Sequence, residues 1–390
     1  MINTEDFRQA ARRRLPRIVF DYIDAGAGDE YTLRANREAF GRITFRPRSL
    51  VDVSKRDQST LVFGRRIETP IIIAPAGAQR LVCREGEVAT VRAAAKIGTI
   101  FALSSGSNRS IEEVAGAAKG ATLWFNTQNW QPRELLQSLV ERAQQAGYHA
   151  LLVSIDSPAD PLMDRSRRNG YSIPFRLNAR AAIDAAHRLR WLREFMFSPP
   201  ITFKNLEAFN EGHGISLSRA ASLHSQLKNP AATWDDLKWF RSIWQGPLVV
   251  KGVLTAETAR KAFDVGADGV VCSNHGGRML DGAPATMDVL PEVLEAAAGR
   301  HKEVFLDSGV RRGTDVVKAI ALGARACLVG RPFFWALAVG GERGVVELFD
   351  ILRKEVDNTL GHLGRPTLAD LDPSAVSLQP DPHYSAYKAP

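Results

Sequence analysis

Residues 248–278 read LVVKGVLTAETARKAFDVGADGVVCSNHGGR. The stretch opens on a short apolar run, Leu248–Val250. A helix-like segment follows, Thr255–Val265, with Thr255 at its start and Glu257 in its first turn, both start signals. Gly266 supplies a C-terminal stop. A second apolar run, Gly269–Cys272, ends in the polar cluster Ser273-Asn274-His275. Each run is too short for a helix and too continuously apolar for a half-exposed strand. That pattern suits a parallel sheet covered on both faces.

The same unit recurs along the chain. The other apolar runs are Ile71–Ala74, Ile100–Leu103, Thr122–Phe125, Ala150–Ile155, Val304–Leu306 and Ala326–Val329. Helix-like segments lie between them at Glu85–Lys96, Pro132–Ala146, Asp288–Ala298 and Thr314–Leu322, with Gly147 and Gly323 as further stops. Eight strands alternating with helices imply a closed barrel or a doubly wound sheet. The count of eight favours a (β/α)8 barrel. No GxGxxG follows the first run, which weighs against a dinucleotide-binding sheet. The expected organisation is one α/β domain over residues 1–390, with the barrel at about 70–342. An N-terminal segment, helical then extended, precedes it, and a long insertion of about 157–246 follows the fourth strand. Within that insertion, Ala179–Phe197 reads as one helix with an apolar side (Ile183, Ala186, Leu189, Phe195). Packing on the barrel is the expected use of that side, with a membrane surface or partner as the alternative. The tail from Leu371 is expected to cover the surface.

Composition narrows the classes. The chain has 390 residues, is 45% hydrophobic and carries a formal charge of +8. Its basic residues are scattered and form no stripe with interleaved aromatics, so nucleic acid is not expected as a partner. The excess charge suits a solvated basic surface or anionic ligands. Cys83, Cys272 and Cys327 form no CxxC pair, which argues for thiols rather than disulfides or a zinc site. The N-terminal residues have no apolar signal core, and no apolar run is long enough to span a bilayer. The expected location is cytoplasmic, with peripheral membrane attachment as an option.

In a barrel of this kind, chemistry sits at the C-terminal strand ends. Those ends carry Ala76 and Gly77, Ser104, Asn126 and Gln128, Asp156, Lys251, Ser273 to Arg278, Asp307 to Gly309, and Gly330 with Arg331. His275 at the end of the sixth run is placed to act as a base. Arg278 offers a planar fork for a carboxylate. Gly309, Arg311, Gly330 and Arg331 follow the seventh and eighth runs, where barrels hold phosphate. Lys251, leaving an apolar strand, needs an anionic partner.

These segments together resemble the FMN-dependent α-hydroxy acid oxidases and dehydrogenases: glycolate oxidase, lactate oxidase and mandelate dehydrogenase. The resemblance runs from LPRIVFDY (15–22) and ANREAF (35–40) through SNHGGRMLDGAPAT (273–286) and DSGVRRGTDVVKAIALGA (307–324) to Gly330-Arg331-Pro332. It implies FMN at the barrel mouth. Ala76, Gly77, Ser104, Asn126, Ser154, Lys251 and Ser273 would lie along the ring and ribityl chain. Asp307, Ser308, Gly309, Arg311, Gly330 and Arg331 would hold ribityl and phosphate. It also implies His275 as base, Asp156 as its carboxylate partner, electron transfer to flavin N5, and Arg278 with Tyr22 as ligands of the substrate carboxylate. The sequence leaves the acceptor open between O2, a quinone and a carrier protein, and the resemblance implies a homotetramer.

The chain departs from the family's pattern at the substrate end. A flavin-side Gln is replaced by Asn126, an active-site Tyr by Gln128, and a second substrate arginine by Met163, with Arg165 two residues on as a stand-in. Each charge-assisted bond to a buried carboxylate contributes roughly 1.5–3 kcal/mol, so a small hydroxy acid should bind poorly. Gly77 and Gly106 are expected to open space near the ring. The expected substrate is therefore a bulky α-hydroxy acid, or an ester or carrier-linked analogue. Other readings are a peptide-derived alcohol or amine, an isomerase using reduced flavin, and an FMN-binding protein without catalysis.

Overall fold

The computed structural model describes residues 1–170, 179–209 and 226–378. Eight parallel strands form a closed barrel: Ile71–Ile73, Ile100–Ser104, Thr122–Gln128, Ala150–Ser154, Leu248–Val253, Gly269–Cys272, Glu303–Leu306 and Cys327–Val329. Every expected run is a barrel strand. Each pairs with its neighbours in sequence, and Cys327 to Val329 on the eighth pair with Ile71 to Ile73 on the first. The result is the (β/α)8 architecture read from the sequence.

Alternate residues divide the apolar content of each strand between two cores. Ile72, Ile100, Ala102, Trp124, Leu152, Val249, Val271, Phe305 and Leu328 belong to one cluster, inside the barrel. Ile71, Phe101, Leu103, Phe125, Leu151, Val250, Val270 and Leu306 belong to the other, shared with the surrounding helices. This two-residue period is the pleat of a strand buried on both faces. The N-terminal end of the barrel is plugged by aromatics: Phe63, from a hairpin of Thr60–Val62 and Arg65–Ile67, lies 5.8 Å from Trp124 and 5.7 Å from Phe305. The opposite end is left for the site.

The expected helices are present with shifts of a residue or two. Thr255 caps Ala256–Asp264 through a bond to the Thr258 N–H. Three corrections apply. The helix Ile111–Ala117, whose Ser110/Glu113 capping box marks it, lies between the second and third strands. The insertion ends in a further barrel helix, Trp234–Ile243, capped by Thr233. The segment expected as one helix is two, Ala179–Ala186 and Leu189–Met196. Their apolar side is not packed on the barrel: Ile183, Leu189, Phe195, Met196 and Phe197 are exposed. Inward packing falls instead to Trp191, whose indole N–H donates to the Leu81 carbonyl (2.8 Å). The tail adds a short strand, Val376–Leu378, antiparallel to Ile43–Phe45; residues 379–390 lie outside the described part. The three cysteines are free thiols.

Candidate active site

The strand period that fills the barrel continues past its last apolar layer. Two residues beyond Ala102, Trp124, Leu152, Val249 and Phe305 stand Ser104, Asn126, Ser154, Lys251 and Asp307. All five line one cavity of about 790 Å³ at the C-terminal mouth, within the 300–1,000 Å³ common for small-molecule sites. Ala76, Gly77, His275, Arg278, Ser308, Gly309, Arg311, Gly330, Arg331, Tyr22, Gln128 and Met163 line it too.

His275 has φ of 57°, the left-handed region, which few non-glycine residues occupy. Its backbone N–H donates to Ser273 Oγ (3.1 Å), and the next residue's N–H, from Gly276, donates to Ser308 Oγ (2.9 Å). Behind this turn Asn36 and Asn274 exchange two side-chain hydrogen bonds (2.9 and 2.8 Å), fixing the sixth loop to the N-terminal helix Tyr31–Gly41. His275 Nδ1 lies 3.0 and 3.1 Å from the two oxygens of Asp156. Burial alone would raise the Asp156 pKa. The charges of His275 and Lys251, with hydrogen bonds, outweigh it and hold the carboxylate below its ordinary value.

Lys251 is almost fully buried, with Nζ 3.1 Å from Asp307 Oδ2 and donating to Ser273 Oγ (2.9 Å). Burial favours its neutral form, yet Asp307 and Asp156 hold its pKa above the ordinary lysine value. Ser308 Oγ donates to Asp307 Oδ1 (2.7 Å). Asn126 Nδ2 donates to Ser154 Oγ (2.9 Å). A cation, hydroxyls and amides thus converge on the barrel axis.

Two half-buried guanidiniums stand where the cavity is lined by the loops after the seventh and eighth strands. Arg311 donates to the Val310 carbonyl (2.8 Å) and stacks over Trp335 at 5.0 Å. Arg331 donates to three carbonyls, of Asp24 (3.1 Å), Gly276 (2.8 Å) and Ala25 (2.8 Å). Among the described residues neither forms an ion pair with a carboxylate. Burial lowers both pKa values, Arg311 to about 10. Two half-buried cations without a counter-charge, beside the N-termini of Gly313–Leu322 and Arg331–Leu363, are suited to an anion such as a phosphate. The donor set therefore fits FMN.

Four expectations are corrected by the geometry. Arg165 is not on the cavity wall: its guanidinium lies 2.9 Å from Asp24 and 2.8 Å from Glu30. Ser273 is also off the wall, buried beneath Lys251. Three of Arg331's donors are committed to backbone carbonyls, so it braces the loops around the anion end as well as charging it. Gly77 does not open space, because a Cβ there would stand 2.4 Å from the Gly106 carbonyl oxygen. At Gly106 a Cβ would just fit, in van der Waals contact with Phe203 of the insertion at 3.6 Å, so Phe203 occupies the space beyond it. The cavity further includes Arg167, Lys228, Trp191, Leu192 and Phe195. None of these was legible beforehand, because the insertion's fold over the mouth leaves no local pattern.

Arg278 completes the substrate side. Its Nη1 donates to the carbonyls of Tyr22 (2.9 Å) and Ala25 (3.2 Å), and its guanidinium lies 5.6 Å from the Tyr22 ring centroid. A histidine paired with a carboxylate, an arginine fork and a charged, hydroxyl-lined chamber are thus brought together at one cavity.

Comparison with known proteins agrees with this chemistry. Residues 11–378 match the family described as FMN-dependent dehydrogenase. The chain is 42% identical to the L-lactate oxidase of Nostoc sp. over 97% of its own length and 98% of the relative's. It is 39% identical to the (S)-mandelate dehydrogenase of Pseudomonas putida, covering 96% and 93%. Among solved structures it is similar to the monotopic membrane protein (S)-mandelate dehydrogenase, with a TM-score of 0.92, 38% identity and coverage of 97% and 99%. The chain belongs to the FMN-dependent dehydrogenase family of flavin oxidoreductases.

Proposed function

We propose that the protein oxidises a bulky α-hydroxy acid, or an ester or carrier-linked analogue, to the 2-oxo product. The observation that carries this reading is the Asp156–His275 pair, set beside Arg278 in the cavity mouth. The substrate gives up two electrons and two protons, its α C–H and O–H bonds breaking as a C=O bond forms. FMN, when bound, would supply the acceptor for the two electrons and one of the two protons, with N5 as the receiving atom.

In this reading His275 takes one proton, on the ring nitrogen opposite Asp156. The carboxylate fixes the tautomer and stabilises the imidazolium. Arg278 and Tyr22 orient the acyl group of the substrate, with Gln128 and Met163 beyond it. Lys251 balances negative charge at the flavin's N1 side. Ala76, Gly77, Ser104, Asn126 and Ser154 surround ring and ribityl chain. Asp307, Ser308, Gly309, Arg311, Gly330 and Arg331 hold ribityl and phosphate, with Ser273 supporting Lys251 from beneath. The whole chain serves as one catalytic domain.

The acceptor that restores the flavin is O2 or a quinone. No described helix is long and apolar enough to cross a membrane. The exposed residues of the insertion away from the cavity combine Ile183, Leu189 and Phe197 with Arg190 and Arg193. This composition supports attachment at a membrane surface, and flotation with anionic vesicles tests it. Assembly into a homotetramer is part of the proposal, checked by analytical ultracentrifugation.

The deciding experiment is anaerobic mixing of the FMN-loaded protein with glycolate, lactate, mandelate, long-chain 2-hydroxy acids and their esters. Loss of absorbance near the ~450 nm flavin band reports reduction. Bleaching by bulky members and not by glycolate or lactate is expected; bleaching by none refutes the reaction.

A further inference from the structure

The end of the cavity that receives the substrate's acyl group differs in charge from a site built for a free carboxylate. Gln128 closes the third strand and lines the cavity. The indole N–H of Trp130 donates to Gln128 Oε1 (3.3 Å). An indole nitrogen can only donate, so this contact fixes which way the amide faces. Its oxygen is engaged, and the NH2 is the group left to offer. Met163, on the wall of the same cavity, is 7% exposed and presents a thioether, which is apolar and no donor.

The cations nearby are mostly spent. Arg165 is held by Asp24 and Glu30. Lys228 lines the cavity, but its Nζ sits 2.6 Å from Asp160 and donates to the Ala159 carbonyl (2.9 Å). Arg278 is the guanidinium remaining next to His275, and Arg167 stands exposed at the rim. A carboxylate spreads its charge over two oxygens, and both need strong donors when desolvated. The Gln128 amide and the Tyr22 phenol can donate to a carboxylate but bring no second positive charge, and the Met163 thioether donates nothing. An ester or amide fits the same wall. Its carbonyl accepts from Arg278 or the Gln128 NH2, and its alkoxy or amino substituent meets Met163.

We infer that the reacting molecule presents a neutral acyl group, an ester or amide of a 2-hydroxy acid, to the Gln128–Met163–Arg278 end of the cavity. The inference rests on the oxidation proposed above and leaves that step unchanged. The α C–H and O–H bonds break, two electrons pass to the flavin, and the acyl C–O or C–N bond stays intact.

The test uses the full-length, FMN-loaded protein and matched probes: mandelate, methyl mandelate and mandelamide, then 2-hydroxyoctanoate and its methyl ester. Anaerobic stopped-flow gives the limiting rate of flavin bleaching and the apparent Kd for each. The ester or amide should exceed its acid in their ratio by about tenfold or more, the scale of one unsatisfied charged contact. Met163→Arg should reverse the order, raising the acid by about 10–150-fold and leaving the ester unimproved. A wild-type preference for the acids overturns the inference. If that preference disappears in Arg167→Gln, the rim guanidinium supplies the missing contact. A second readout does not need turnover: perturbation of the oxidised flavin spectrum by phenylglyoxylate against its methyl ester. If no hydroxy compound bleaches the flavin, the oxidation reading fails. The product pair still decides the acyl preference, with tighter ester binding supporting it and tighter acid binding overturning it.

Discussion

His275 Nδ1 is shared between both carboxylate oxygens of Asp156, at 3.0 and 3.1 Å. This arrangement leaves the other ring nitrogen as the one that can exchange a proton with a ligand. Replacing Asp156 by Asn removes the negative charge and permits the wrong tautomer. Flavin reduction in Asp156→Asn should fall by about 10²–10⁴-fold, with FMN content unchanged. Stopped-flow bleaching with the best substrate measures this, and an unchanged rate would remove Asp156 from the mechanism.

The same pair can be disturbed from the strand behind it. A Cβ at Gly252 would stand 2.5 Å from Asp156 Cβ, and Gly252 has φ of 104°, a conformation that L side chains rarely adopt. Gly252→Ala should lose about 1–3 kcal/mol of stability. It should also slow flavin reduction in the way Asp156→Asn does. Thermal unfolding and bleaching rate, measured together, check both halves; a stable, fast variant would contradict the packing described.

Arg311 is a half-buried cation whose pKa is lowered to about 10 by its surroundings, without a carboxylate ion pair among the described residues. Arg311→Met should weaken FMN binding by about 10–150-fold, the equivalent of one charge-assisted contact. Riboflavin, which lacks the phosphate, should bind both proteins alike. The apoprotein should be no less stable, since an uncompensated half-buried charge has been removed. Fluorescence titration of apoprotein with each flavin separates these outcomes.

Glu87 is fully buried beneath the flavin-facing loop, accepting from the N–H groups of Gln79 (3.3 Å) and Asn108 (3.1 Å). Burial pushes its pKa up to about 7 from 4.5. The folded protein therefore holds this proton more tightly than the unfolded chain. The linked stability is complete below about pH 4.5 and is lost as pH rises towards 7, a change of roughly 3 kcal/mol. Glu87→Gln should flatten the decline of melting temperature across that window, and parallel profiles for the two proteins would refute it.

The eight strands were legible because their composition is dictated by burial on two faces. The inward-facing site residues were legible for the same reason. Ser104, Asn126, Ser154, Lys251 and Asp307 each stand two positions after an inward apolar residue, where the pleat must aim them at the axis. The insertion was less readable. Arg165 and Arg167 both belong to the short helix Asp164–Arg168, and two positions on a helix turn a side chain by about 200°. One reaches Asp24 and Glu30 and the other the cavity, a choice that sequence spacing leaves open. The paired helices that follow present apolar residues on two sides, and their packing partner, the N-terminal segment, is more than a hundred residues away in sequence. Contacts such as Arg14 with Glu194 (2.7 Å) decide which side turns inward.

The seam at which Cys327 to Val329 pair with Ile71 to Ile73 brings together residues from the two ends of the barrel sequence, and under the proposed function it would give cofactor loading an order in time. The loop that lies against the ring starts just after the first strand, and the guanidinium at the head of the last barrel helix comes some 250 residues later. A chain leaving the ribosome carries the first of these long before the second exists. Until the eighth strand closes the gap, the two halves of the grip have nothing to hold them in register. In the proposed assignment, a cofactor held by both ends of the chain would span the seam between the first and eighth strands and act as a clasp across it.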